Sequence, residues 1–207
     1  MNNLQDFVEI EEEFLFPSKK GVFHALEPYL HKPQMLYLES CAIDQPAMNG
    51  FLVGLSEDLG VMHFFNDFVP YGYEIFHLSD IESITSNQHE RFWSYMLHSE
   101  GLLGGLDLPL SLDLKSVRSA IESVQQQFSW LIAEIENPGG ELGFHIGQLN
   151  SIDENGKVRM RCFDNLGVWG YSLCEFPLED VFLIQFETPY IKAFRKYLSE
   201  GPSLKIV

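Results

Sequence analysis

The side chains able to carry reactive chemistry are few and far apart. The seven histidines are His24, His31, His63, His77, His89, His98 and His145. None forms a His-x-x-x-His or Glu-x-x-His pair within an expected helix, the spacings that place two ligands on one helical face. His63 and His77 could face each other across neighbouring strands, but a zinc site needs three or four ligands and no Cys or Asp is spaced to join them. Cys41, Cys162 and Cys174 form no Cys-x-x-Cys. They fall in expected strands, where cysteine packs as a small apolar residue. There is no Gly-x-Ser-x-Gly, phosphate loop or dinucleotide fingerprint. Asp80 and Asp180 recur before a strand, where Asp commonly accepts hydrogen bonds from nearby amides. No catalytic residue, no metal ligand and no cofactor is expected. What remains is aromatic. Phe68, Tyr71 and Trp169 fall at expected loop tips that are hard to bury, and exposed aromatics suit protein interfaces.

Charge narrows the partner. The chain holds 30 acidic and 13 basic residues, a net charge of −17. Residues 21–101 carry 11 acids against only Lys32 and Arg91, a net of −9. Residues 115–201 carry 12 acids and eight bases, a net of −4. Nucleic-acid affinity rests on Lys and Arg neutralising phosphates, so the first stretch is a poor candidate. Lys157, Arg159 and Arg161 alternate onto one side of a strand, and a solvated strand face accounts for them. The acidic first 20 residues do not read as a signal peptide. No apolar run approaches the length that spans a bilayer. The expected compartment is a cytoplasm with reduced thiols.

The elements that must position these residues occur twice. Gly50–Gly54 (GFLVG) returns as Gly143–Gly147 (GFHIG), which sets Gly54 against Gly147. Asp67 matches Asp164, Gly72-Tyr73 matches Gly170-Tyr171, and Leu78-Ser79-Asp80-Ile81 matches Leu178-Glu179-Asp180-Val181. Ordered matches of this kind mark an internal duplication. The expected division is an acidic extension over 1–19 that packs on the first repeat, repeat one over 20–101, and a leucine-rich linker over 102–114. Repeat two follows over 115–201, with a tail over 202–207. A polar composition would suit a free linker, so Leu102–Leu114 is expected to be ordered and partly buried.

Each repeat opens with a helix, over Gly21–Leu30 and over Lys115–Gln127, the second with Asp113 as N-cap. Five strands follow. In the first repeat they are Met35–Ile43, Gly50–Leu55, Gly60–Phe65, Tyr73–Leu78 and Ile81–Thr85. In the second they are Phe128–Glu136, Gly143–Leu149, Lys157–Phe163, Tyr171–Phe176 and Val181–Phe186. Asn155-Gly156 supplies a tight hairpin turn. A closing helix over His89–His98 or Pro189–Leu198 ends at Gly101 or Gly201.

A helix followed by five short antiparallel strands resembles the Sm-like or SH3-like small barrel. Gly50–Gly54 with Asp67, and Gly143–Gly147 with Asp164, carry the resemblance. It implies an α+β, mainly β fold of two tandem five-stranded barrels. In Sm-like proteins it would also imply RNA binding on a ring, with an Asn after the third strand and a basic Arg-Gly or Lys-Gly turn. Here those turns are Pro70-Tyr71-Gly72 and Val168-Trp169-Gly170, and neither is basic. Fold analogy does not supply function. The first reading is therefore a non-enzymatic, acidic protein-binding or inhibitory (immunity-type) module, its charge steering a basic partner protein. The alternatives are an Sm-like nucleic-acid-linked module, or an enzyme with its site at the joint between repeats.

Overall fold

Short β-branched and aromatic runs broken by Gly, Asn and Asp dictate strands and tight turns. The computed structural model describes residues 14–15, 18–41, 47–103, 112–137 and 139–198. It divides into two compact units. The first is described within residues 1–71 and 76–115, the second within 72–75 and 116–207.

In the first unit, β1 (Phe14–Leu15) pairs with β6 (Ile81–Thr85). Helix α1 (Lys19–Leu26) starts at Ser18, whose hydroxyl accepts from Gly21 N, and gives way at Pro28 to a single 3-10 turn. The strands β2 (Leu36–Ser40), β3 (Met48–Leu55), β4 (Leu59–Asn66) and β5 (Val69–His77) precede β6. Helix α2 (Gln88–Ser99) opens with a capping box, in which Asn87 accepts from His89 N and Glu90 reaches back to Asn87 N. Such a cap satisfies amides that the first helical turn leaves without partners. Met35, Phe51, Phe65 and Leu97 pack together as a buried cluster, with Trp93 and Leu103 against it.

The second unit repeats this element order. Helix α3 (Val117–Phe128) is followed by β7 (Leu131–Glu136), β8 (Leu142–Ile152), β9 (Lys157–Cys162), β10 (Cys174–Pro177) and β11 (Val181–Phe186), then α4 (Pro189–Tyr197). The cap of α3 is Ser116, not the expected Asp113. Asp113 accepts instead from Lys115 N, one turn too early. Trp130, Ile132, Ile146, Phe163 and Ile191 form the core under α4.

The expectation of two tandem barrels, each closed on itself, is overturned. The hydrogen-bonded order is β1-β6-β2-β3-β4-β5-β11-β7-β8-β9-β10, one open antiparallel sheet of ten strands with the two-residue β1 added at one end. The reason lies in the links into β6 and β11. Each is a single 3-10 turn, Leu78–Asp80 or Leu178–Asp180. Leu78 N bonds back to Asp58 O, and Leu178 N to Gly156 O. These turns redirect the chain instead of folding it into a hairpin, so β6 pairs with β2 and β11 with β7.

Register also corrects one match. Gly50 lies opposite Leu36, the first residue of β2, and opposite Phe64. Gly147 lies opposite Leu131, the first residue of β7, and opposite Cys162. Gly50, not Gly54, therefore holds the ladder position of Gly147. Leu102–Leu114 lies largely outside the described residues, as does most of the acidic extension.

Candidate functional site

Two places gather unusual chemistry, one in each unit. The first is a groove of about 320 Å³ beside α2, lined by Phe68, Tyr95, Met96, Leu97 and Leu102 together with Ser99 and Glu100. The β4–β5 turn supplies Phe68, because Asp67 takes a left-handed φ of 54° and tips the next side chain outward. Phe68 is 40% exposed, and its ring centroid lies 4.7 Å from that of Trp93. Phe92, Tyr95 and Leu102 are also exposed. Contiguous apolar exposure of this kind marks an interaction surface more often than isolated residues do.

Of the residues expected to bind a partner, Phe68 lines this groove. Tyr71 sits on the same hairpin, 37% exposed, and meets Phe64 edge-on at 5.7 Å. Trp169, in the second unit, is half-buried. Its ring packs on Trp130 and Phe163 at 5.4 and 5.3 Å, and the Arg161 guanidinium lies over it at 4.8 Å. The exposed aromatic on that loop is Tyr171, 98% accessible. Tyr95 and Phe92 were missed, although five large apolar residues within Phe92–Leu97 exceed what one helical face can bury.

The second place lies on one face of β8, β9 and β10. Cys162 is opposite Gly147, two residues along β8 from His145. Cys174 is opposite Met160, two residues along β9 from Cys162. Strand alternation therefore puts His145, Cys162 and Cys174 on the same side. One donor atom from each lies within 4.8 Å of the others. Burial pushes the Cys162 thiol well above its ordinary range, and the adjacent Cys174 thiol adds to the effect. Burial also lowers the His145 pKa, favouring a neutral imidazole. The His145 ring stacks on Phe176 at 4.7 Å and 13°, which fixes its orientation. Local sequence spacing does not reveal this set, because its members belong to three different strands. The only signal was parity within the expected strands, and it becomes informative only once register is known.

Comparison with family models, with curated proteins and with solved structures finds no match to this chain. Among the described residues, no helix is long and apolar enough to cross a membrane.

Proposed function

We propose that this protein is a non-enzymatic, protein-binding module whose first unit docks a partner segment of apolar anchors flanked by Lys or Arg. The observation that carries this reading is the apolar groove at Phe68, Tyr95 and Leu102, set in a stretch with 11 acids and two bases. Arg91, one of those two bases, is buried. Acid-dominated surroundings steer a cationic partner and disfavour an acidic one. Several basic side chains of the second unit are engaged locally, which favours a protein partner over nucleic acid. Lys157 and Arg159 pair with Glu175 at 3.1 and 2.9 Å, and Arg159 also reaches Asp153.

The test is titration of the full chain with an amphipathic Leu/Lys peptide, alongside a Leu/Glu peptide of the same pattern, followed by NMR. The Lys peptide should perturb Phe68, Tyr95 and Leu102. Its binding should weaken with salt, because surface attraction is screened beyond about 8 Å at physiological ionic strength. Tyr95→Glu and Leu102→Glu should reduce it by about tenfold or more, the loss of one anchor contact. Equal binding of the Glu peptide, or shifts away from the groove, would overturn the reading. So would peptide binding that appears only after Leu106→Ser and Leu108→Ser, since the chain's own leucine-rich segment would then be the occupant.

A further inference from the structure

We propose that His145, Cys162 and Cys174 form a binding site for a thiophilic metal ion, with Zn2+ as the ion their donor set fits. Two thiols and an imidazole are the ligand types that borderline-soft Zn2+ prefers. Zinc binds sulfur at about 2.3 Å and imidazole nitrogen at about 2.0–2.1 Å, so a tetrahedral site holds such donors roughly 3.5–3.8 Å apart. The three donors here already lie within 4.8 Å of one another. Rotation about the cysteine χ1 bonds can close the remaining gap, because the strands fix the Cα positions and leave the sulfurs free to move.

Three further observations point to a ligand instead of ordinary packing. First, among the described residues the His145 ring makes no hydrogen bond, and its only ring contact is the stack on Phe176. A partly buried neutral imidazole whose nitrogens bond to no protein group can offer one of them to an ion. Second, Cys162 is buried, and among the described residues its thiol reaches the Met160 carbonyl, at 3.9 Å, and the neighbouring Cys174. Third, the residue opposite Cys162 on β8 is Gly147, which presents no side chain to the space between His145 and Cys162. The rest of that face, including Leu131, Ala133, Val158 and Met160, is apolar, the low-dielectric setting in which thiolate–metal attraction is strong. Among the described residues β10 has a single strand neighbour, β9, and Cys174 and His145 are only partly buried, so an ion has a way in. Binding would release the thiol protons to solvent as Cys162 and Cys174 become thiolates. Three protein donors leave a fourth coordination position for water or another ligand.

The experiment starts from the reduced, chelator-treated full chain. Zn2+ is titrated against a chromophoric chelator, Co2+ is titrated as a spectroscopic probe, and native thiol alkylation is mapped by mass spectrometry. The expected result is one zinc per chain and a tetrahedral Co2+ spectrum with thiolate charge-transfer bands. Cys162 and Cys174, but not Cys41, should be protected from alkylation by Zn2+. Cys162→Ser and Cys174→Ser should abolish stoichiometric uptake, His145→Ala should weaken it by about tenfold or more, as expected for loss of one ligand, and Cys41→Ser should leave it unchanged. The alkylation map uses the unaltered chain, so it decides the matter even where a serine variant does not fold. No uptake, uptake indifferent to these substitutions, or a Cys162–Cys174 disulfide whose reduced form takes up no zinc would overturn the site.

Discussion

Glu74 shows how one buried carboxyl can set a pH dependence. It lies in the second unit, where Gln185 Nε2 donates to its Oε1 at 2.8 Å. Burial, and then the nearby Glu134, raise its pKa from 4.5 to about 7. The folded state therefore holds this proton more tightly than the unfolded chain does. Its contribution is fully present below the unfolded value of 4.5 and is lost as pH rises towards 7. Glu74→Gln keeps an oxygen to accept from Gln185 and cannot ionise. It should raise stability at pH 8 by up to about 3 kcal/mol, the linkage value of the shift, and change little at pH 4. Urea unfolding at the two pH values measures this, and equal effects at both would refute it. The aromatic loop gives a second residue-scale expectation. Trp169→Ala should cost about 2–3 kcal/mol, because it empties the space against Trp130 and Phe163. Tyr171→Ala, at a side chain 98% accessible, should stay within about 0.5 kcal/mol. Thermal unfolding of the pair separates a core-capping Trp169 from a docking one.

At the scale of elements, glycine decides how closely β3 approaches β4 and β8 approaches β9. A Cβ at Gly50 would stand 2.2 Å from His63 O, and one at Gly147 would stand 2.0 Å from Arg161 O. Both obstacles are backbone, so no side chain can swing aside. Gly50→Ala and Gly147→Ala should each destabilise by more than about 2 kcal/mol, the upper range for overpacking. Gly156, at φ 79°, has its nearest such contact at 3.7 Å. There Gly156→Ala meets only left-handed backbone strain, with an expected cost of about 1 kcal/mol. Chemical denaturation of the three variants tests the ranking. A Gly156 effect equal to the other two would mean that the ladder tolerates a methyl group.

For the whole molecule, the second unit is discontinuous in sequence. Gly72–Ile75 belong to it. Tyr73 stacks on Phe186 at 5.0 Å and 14°, and Glu74 accepts from Gln185. A fragment of 112–207 alone would expose β11 as an unpaired edge, the kind of surface that aggregates. It should express poorly or bind a hydrophobic dye, and a synthetic 68–78 peptide added in trans should restore a cooperative transition. A cooperatively folded 112–207 fragment would show that β11 needs no partner strand.

The sequence by itself determined which elements form and roughly where they lie. Ile81–Thr85 and Val181–Phe186 fall where β-branched and aromatic residues place them. The closing helices expected over His89–His98 and Pro189–Leu198 lie at Gln88–Ser99 and Pro189–Tyr197. The sequence also placed Phe68 at a loop tip that is hard to bury, and that ring is exposed. Only the tertiary structure decided closure, register and the His145–Cys162–Cys174 cluster. Local propensity says that a strand forms, but not which strand it pairs with, since pairing energy comes from neighbours distant in sequence. The GFLVG and GFHIG motifs looked alike letter by letter, yet the ladder aligns Gly50 with Gly147, because backbone clearance and not sequence likeness requires glycine there. Three donors on three strands meet only through register, since a one-residue slip of any strand would turn its donor to the opposite face.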